Sequence, residues 1–173
     1  MDQLIDASRD EMAALTLKVG ENITIPRLER FSGEHVSVYM HNKAPNGDNV
    51  ANSFAIVELS KDDSALGTNL AMHICGMTPL FTARDQVPES AIAEERSSQS
   101  EILKREQEKL ADEIKEPEER IQKILDRGVE KWLKEVCLMD QSYLLKPKKS
   151  VSQILQESGV ELKQWKRVKV GMK

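Results

Sequence analysis

Long apolar runs are missing from this sequence. No stretch approaches the roughly 18 consecutive apolar residues that a membrane-spanning helix needs, so no span is expected. The opening Met1-Asp2-Gln3-Leu4 has no basic region leading into an apolar run, so no secretory leader is read there. A cleaved transit peptide would leave no trace. The expected compartment is therefore the cytoplasm, with plastid or mitochondrial matrix as the alternative. Cysteine is scarce: Cys75 and Cys137 stand far apart and form neither a CxxC nor a metal spacing, which excludes a disulfide scaffold. Both are read as reduced core residues. Glycine, at eight residues, and proline, at six, are too few for collagen or a low-complexity linker. The signatures of phosphate cradles, GxxxxGK[ST] and GxGxxG, are absent, as are GxSxG and HExxH.

What is present is charge. Of 173 residues 31% are charged, 39% hydrophobic and 4% aromatic. That suits a modest core joined to a solvated helical arm, in one domain or one small domain plus an extension. The net charge is −4, but residues 146–173 hold eight Lys/Arg against two Asp/Glu. Such a basic end could meet nucleic acid or an acidic protein face, or simply be a solvated strand with its flanks.

Hydrophobic periodicity divides the chain into residues 1–21, a helix leading into a core; 22–88, core sheet and helix; 89–136, an inserted helical hairpin; and 137–173, the returning core. A helix is expected over 3–18, from Leu4, Ala7, Met12, Leu15 and Val19, stopping at Gly20. Strands are expected where Ile23 and Ile25, then Val36, Val38 and Met40, then Ala55, Val57 and Leu59 alternate with their neighbours. Ser32-Gly33-Glu34 would connect the first two strands tightly, and residues 42–53 would form a longer loop. Residues 64–77 read as a helix with Leu66, Leu70, Ile74 and Met77 on one face. Over 89–136 two thin seams follow, Ile92, Gln99, Leu103, Leu110 and Ile114, then Ile121, Leu125, Gly128, Trp132 and Val136, separated near Pro117. A helix of about 25 residues is roughly 37 Å long, so this antiparallel coiled-coil arm should project, with Gln99 and Gly128 weakening its middle. Ser150 should cap a helix ending at Gly159, and residues 160–171 should form the last strand, with Lys163, Trp165, Arg167 and Lys169 on one side. The fold class expected is α+β: a small antiparallel sheet packed with helices, carrying the protruding hairpin as an insertion.

No catalytic, cofactor or metal site emerges. His35, His41 and His73 are spread over a strand and a helix, read as two surface histidines and one packed one. The carboxylates of the arm lie among lysines and arginines, where they form exposed i,i+4 pairs rather than a cleft that shifts a pKa. The chain is expected not to be an enzyme. Basic residues around Trp165 could stack a base, giving an RNA-binding or ribosome-associated module as an alternative. Pairing of two arms would make a homodimer. Two apolar features, Leu144-Leu145 before Lys146-Pro147 and Met40 beside His41, fall where loops or strand ends are expected, and they need either a core or a partner.

A family resemblance covers about Leu15 to Gly171. Lys18-Val19-Gly20-Glu21-Asn22-Ile23 resembles the KxGENI signature of elongation factor Ts. Leu70-Ala71-Met72-His73-Ile74 and Arg84-Asp85-Gln86-Val87-Pro88 are similar to further segments of that family. Glu135-Val136-Cys137-Leu138-Met139-Asp140-Gln141-Ser142-Tyr143 resembles its EVCLLEQPF, and Leu144-Leu145-Lys146-Pro147-Lys148-Lys149-Ser150-Val151 its xxxPxKTV. Val168-Lys169-Val170-Gly171 resembles the closing strand. The resemblance implies a guanine nucleotide exchange factor that binds the GTPase elongation factor Tu and speeds GDP release, with no chemistry, cofactor or metal of its own. It implies partner contacts at Val19, Gly20, His41, Leu144 and Leu145, and a coiled-coil arm of the bacterial or plastid type. The family's TDFVA segment, whose Phe wedges into the GTPase, and its small N-terminal helical domain have no counterpart in these residues. The resemblance thus covers the second half of the family's core domain plus the arm.

Overall fold

Two of the alternating stretches become strands, β1 (His35–His41) and β2 (Ser53–Leu59), paired antiparallel from His35 opposite Leu59 to His41 opposite Ser53. The last strand, β5 (Leu162–Lys169), pairs antiparallel with the other edge of β2, giving the order β1-β2-β5. The computed structural model describes residues 6–25, 30–43, 50–109 and 117–171. They fall into two compact units, residues 1–32 and 33–173.

In the first unit, α1 (Arg9–Val19) ends at Gly20, whose φ of 78° is the left-handed turn that glycine adopts at least cost. Ile23 and Ile25 do not enter a strand: residues 22–25 are irregular, and the Ile23 amide donates to Thr16 Oγ1 at 3.4 Å. Two alternating residues without a pairing partner do not make a strand.

In the second unit the sheet packs one face on α2 (Ser64–Met77), and α5 (Val151–Ser158) joins the same core beside the β-hairpin that precedes it. Asp63 caps α2 by accepting from the Leu66 amide, and Ser150 caps α5 in a reciprocal box with Gln153. Ala55, Val57, Leu59, Leu70, Ile74, Leu138, Val151, Ile154 and Leu155 form the core. Full burial of a Leu or Ile contributes about 1.5–3 kcal/mol. Met77 falls outside this face and is 42% exposed.

The inward face of β1 is the reverse of what hydrophobicity alone suggests. Ser37 is buried, whereas Val36 and Val38 are 40% and 43% exposed. Gly67 explains it: a Cβ there would sit 2.3 Å from Ser37 Oγ, so a glycine on α2 meets a small side chain on β1 and brings helix and strand close together. Val36, Val38 and Met40 instead line the outer face of the sheet beside Phe54 and Ile56.

The helical hairpin consists of α3 (Glu89–Gln107) and α4 (Glu118–Val136), side by side in opposite directions. Arg96 reaches Asp126 at 2.7 Å and Gln122 at 3.0 Å. At its base Val87, Val129, Leu133, Val136 and Cys137 form a second cluster with Phe81, Ala91, Ile92 and Trp132. The inner face of α4 carries Leu125, Val129, Leu133 and Val136 buried, with Gly128 under Gln99 and Trp132 partly buried beside them. Gly128 is not a gap, because the Gln99 side chain occupies the space where its Cβ would be. Leu110, Ile114 and the turn before Pro117 lie outside the described residues.

Candidate functional site

Leu144 and Leu145 form the two-residue turn between β3 (Ser142–Tyr143) and β4 (Lys146–Ser150), where Tyr143 pairs with Lys146. They are 45% and 50% exposed. Tight two-residue hairpins usually take turns with positive φ, filled by Asn or Gly, because those match the strand twist. Among the described residues only Asn42 and Thr78 have positive φ outside glycine, so this turn is of the unprimed kind. The register also shifts between Ser142 and Tyr143. The hairpin is thus poorly held by its own ladder, and two large apolar side chains stand at its tip.

What holds it is a buried polar group. The Leu144 amide donates to His73 Nδ1 at 3.2 Å. An amide can only donate, so Nδ1 carries no proton, and the neutral ring has its proton on Nε2. That N–H donates to Gln141 Oε1 at 2.9 Å. The Gln141 amide nitrogen in turn donates to the Glu135 carbonyl at 2.5 Å, in the last turn of α4, and to the Met77 carbonyl at 3.4 Å, at the end of α2. The Gln141 carbonyl accepts from the Val151 amide at 3.0 Å, where α5 begins. His73 is fully buried and Gln141 nearly so. The Tyr143 ring lies 5.6 Å from the His73 ring, centre to centre.

Burial pushes the His73 imidazole below its ordinary value of 6.5, with the Gln141 hydrogen bond working the other way. A depressed histidine makes the fold lose stability on acidification. Above pH 6.5 neither state holds the proton. Below it the unfolded chain takes up a proton that the folded chain refuses, so stability falls until the folded-state value is reached. Urea midpoints measured from pH 7.5 to 5 should drop through this window, and the drop should be smaller in His73→Asn. Equal slopes in both proteins would contradict the assignment.

His41 ends β1, exposed, with its Nδ1 3.4 Å from the Tyr39 hydroxyl. It pairs with Ser53, and Ser53 hydrogen-bonds Cys75 near the C-terminal end of α2. His41 and the Leu144-Leu145 turn are therefore brought to the same end of α2. Val19, 57% exposed, and Gly20 belong to the first unit, residues 1–32. No neighbouring atom lies within 4 Å of the place a Gly20 Cβ would take, so glycine there serves the backbone angle and leaves an open surface.

Several motif residues hold the scaffold instead. Arg84 pairs with Asp140 and with both carboxylate oxygens of Glu130, at 3.0 and 3.2 Å, tying the loop before α3 to α4. Val87 is buried. Both cysteines are free and buried, and burial raises both thiols. On β5 a register shift opposite Glu58 and Leu59 takes Lys163 out of the alternation. Trp165 and Arg167 pair with Val57 and Ala55 on the inner face, and the indole N–H donates to Thr82 Oγ1 at 3.0 Å, so Trp165 packs on the core rather than offering a stacking surface. Among the described residues no three His, Cys, Asp or Glu side chains gather as a metal site, and no helix is long and apolar enough to cross a membrane.

Sequence reasoning gave Gln141 no role, although it lies in the segment 135–143 that carries the family resemblance and is a polar side chain amid Val136, Cys137, Leu138 and Tyr143.

Residues 4–172 match the family described as Elongation factor TS. The chain is 36% identical over 154 residues to elongation factor Ts of Streptomyces griseus, covering 89% of this chain and 52% of the relative. To elongation factor Ts of Acidothermus cellulolyticus it is 32% identical over 173 residues, covering 99% and 59%. To that of Corynebacterium jeikeium it is 32% identical over 162 residues, covering 94% and 56%. The chain spans between half and three fifths of the length of these curated relatives. With the motifs in family order and the match running nearly end to end, this chain belongs to the elongation factor Ts family.

Proposed function

We propose that this chain docks onto elongation factor Tu in the cytoplasm and promotes release of GDP, without a catalytic site of its own. The observation that carries the reading is the Leu144-Leu145 turn: two exposed leucines held at the tip of a short hairpin by a buried hydrogen-bond network. Exposed apolar anchors on a rigid support suit a protein partner. His41, at the same end of α2, extends the contact, and Val19 and Gly20 supply a second one from residues 1–32. The hairpin arm of α3 and α4 offers a further reach toward the GTPase.

Exchange then follows from coupling. A chain that binds the nucleotide-free GTPase more tightly than the GDP form lowers GDP affinity by some factor, and GDP lowers docking by the same factor. The test is release of fluorescent GDP from elongation factor Tu with an excess of this chain. Acceleration that rises with chain concentration is expected. An unchanged rate, with binding intact, would remove the exchange half of the proposal and leave docking.

A further inference from the structure

The buried imidazole of α2 is not among the partner contacts that the family resemblance implies, yet it accepts a hydrogen bond from the docking turn. We infer that His73 is the positioning residue of that turn: its unprotonated Nδ1 accepts the Leu144 amide and fixes Leu144 and Leu145 in the presented conformation. The inference rests on the docking reading above. Three observations carry it. The turn has neither the residues nor the positive φ that would stabilise a two-residue hairpin by itself. The Leu144 amide finds its acceptor in the His73 ring rather than across the strand pair. The ring in turn is locked, by Nε2–H donation to Gln141 and by the Tyr143 ring beside it, so the acceptor cannot rotate away. A proton on Nδ1 would turn the acceptor into a donor facing a donor and release the turn. The titratable group facing the ring is the Tyr143 phenol, itself raised by burial and by Asp63.

Two substitutions separate positioning from mere support. Asparagine at position 73 brings an oxygen near the place of Nδ1 and keeps an acceptor for Leu144. Glutamine brings an amide nitrogen near the place of Nε2 and keeps the donor to Gln141 but not the acceptor. Affinity for elongation factor Tu would be measured for wild type, His73→Asn, His73→Gln and Leu144→Asp at pH 7.5, beside urea unfolding and exchange of the Leu144 amide. The expected result is an affinity loss of roughly tenfold for His73→Gln, little loss for His73→Asn, and faster Leu144 exchange in His73→Gln alone. Equal affinities for the Asn and Gln variants, or losses that simply follow their stabilities, would overturn the inference while Leu144→Asp still weakens binding. If Leu144→Asp binds like wild type, the docking reading fails, and the inference falls with it.

Discussion

Gln141→Leu should lower the unfolding free energy by about 2–4 kcal/mol, a large change for a substitution of similar volume. Leucine fills the space but makes none of the three hydrogen bonds of the glutamine side chain. It leaves the His73 Nε2–H buried without an acceptor, and it frees the terminal carbonyls of α2 and α4. An orphaned buried group costs roughly 1–3 kcal/mol, whereas a satisfied neutral hydrogen bond contributes about 1 kcal/mol. Urea or thermal unfolding measures the loss, expected as a fall in Tm of roughly 5–15 °C for a chain of this size. A change below about 0.5 kcal/mol would mean that water or a shifted side chain replaces the glutamine, and that α2, α4 and the hairpin are not tied through it.

The network also marks the limit of what the sequence discloses. β2 was legible because Ala55, Val57 and Leu59 are both apolar and inward, so pattern and packing agree. β1 was legible as a strand but not as to its inner face, since the decision belongs to Gly67 on another element: a missing side chain on α2 makes room for Ser37. The caps at Ser150 and Gly159 are local and were read correctly. The strand at Ile23 was not formed, because pairing needs a neighbour that a two-residue alternation cannot specify. The seam of α4 was read too narrowly: Leu125, Gly128, Trp132 and Val136 do face α3 or the base cluster, but Val129 and Leu133 beside them are buried too, because the inner stripe is wider than a strict coiled-coil seam.

For the candidate site the division is similar. Leu144 and Leu145 announce themselves as apolar residues before a lysine and a proline, and they stand at an exposed turn. That this turn is a hairpin was illegible, since Lys146, Pro147 and Lys148 have poor strand propensity and the pairing is set by what surrounds it. One of the three histidines was read as packed, without saying which, and His73 is the packed one. Its partners lie 68 and 71 residues away in sequence, beyond any local pattern.

Leu144→Asp should weaken binding to elongation factor Tu by about 10- to 100-fold, or roughly 1.4–2.8 kcal/mol, while leaving the fold within about 0.5 kcal/mol of wild type. The second half follows from exposure: at 45% exposed, Leu144 gives little to the core, and exposed substitutions rarely move stability further. The first half follows from what a contact does to a carboxylate. An apolar partner surface must desolvate the new charge without pairing it, and that costs more than the lost leucine contact alone. His41→Ala removes only contact and no water-loving group is added, so its effect should be smaller, about 1–2 kcal/mol. Titration of each variant against elongation factor Tu gives the affinities. GDP-release rates at subsaturating chain should fall in the same order. Unchanged affinity in both variants would refute the interface. Set against Gln141→Leu, the outcome is diagnostic: the glutamine should cost stability first and docking only through it, whereas the exposed leucine should cost docking alone. The proposed docking turn requires that separation, because the residue that would touch the partner and the residues that hold it in place are different side chains.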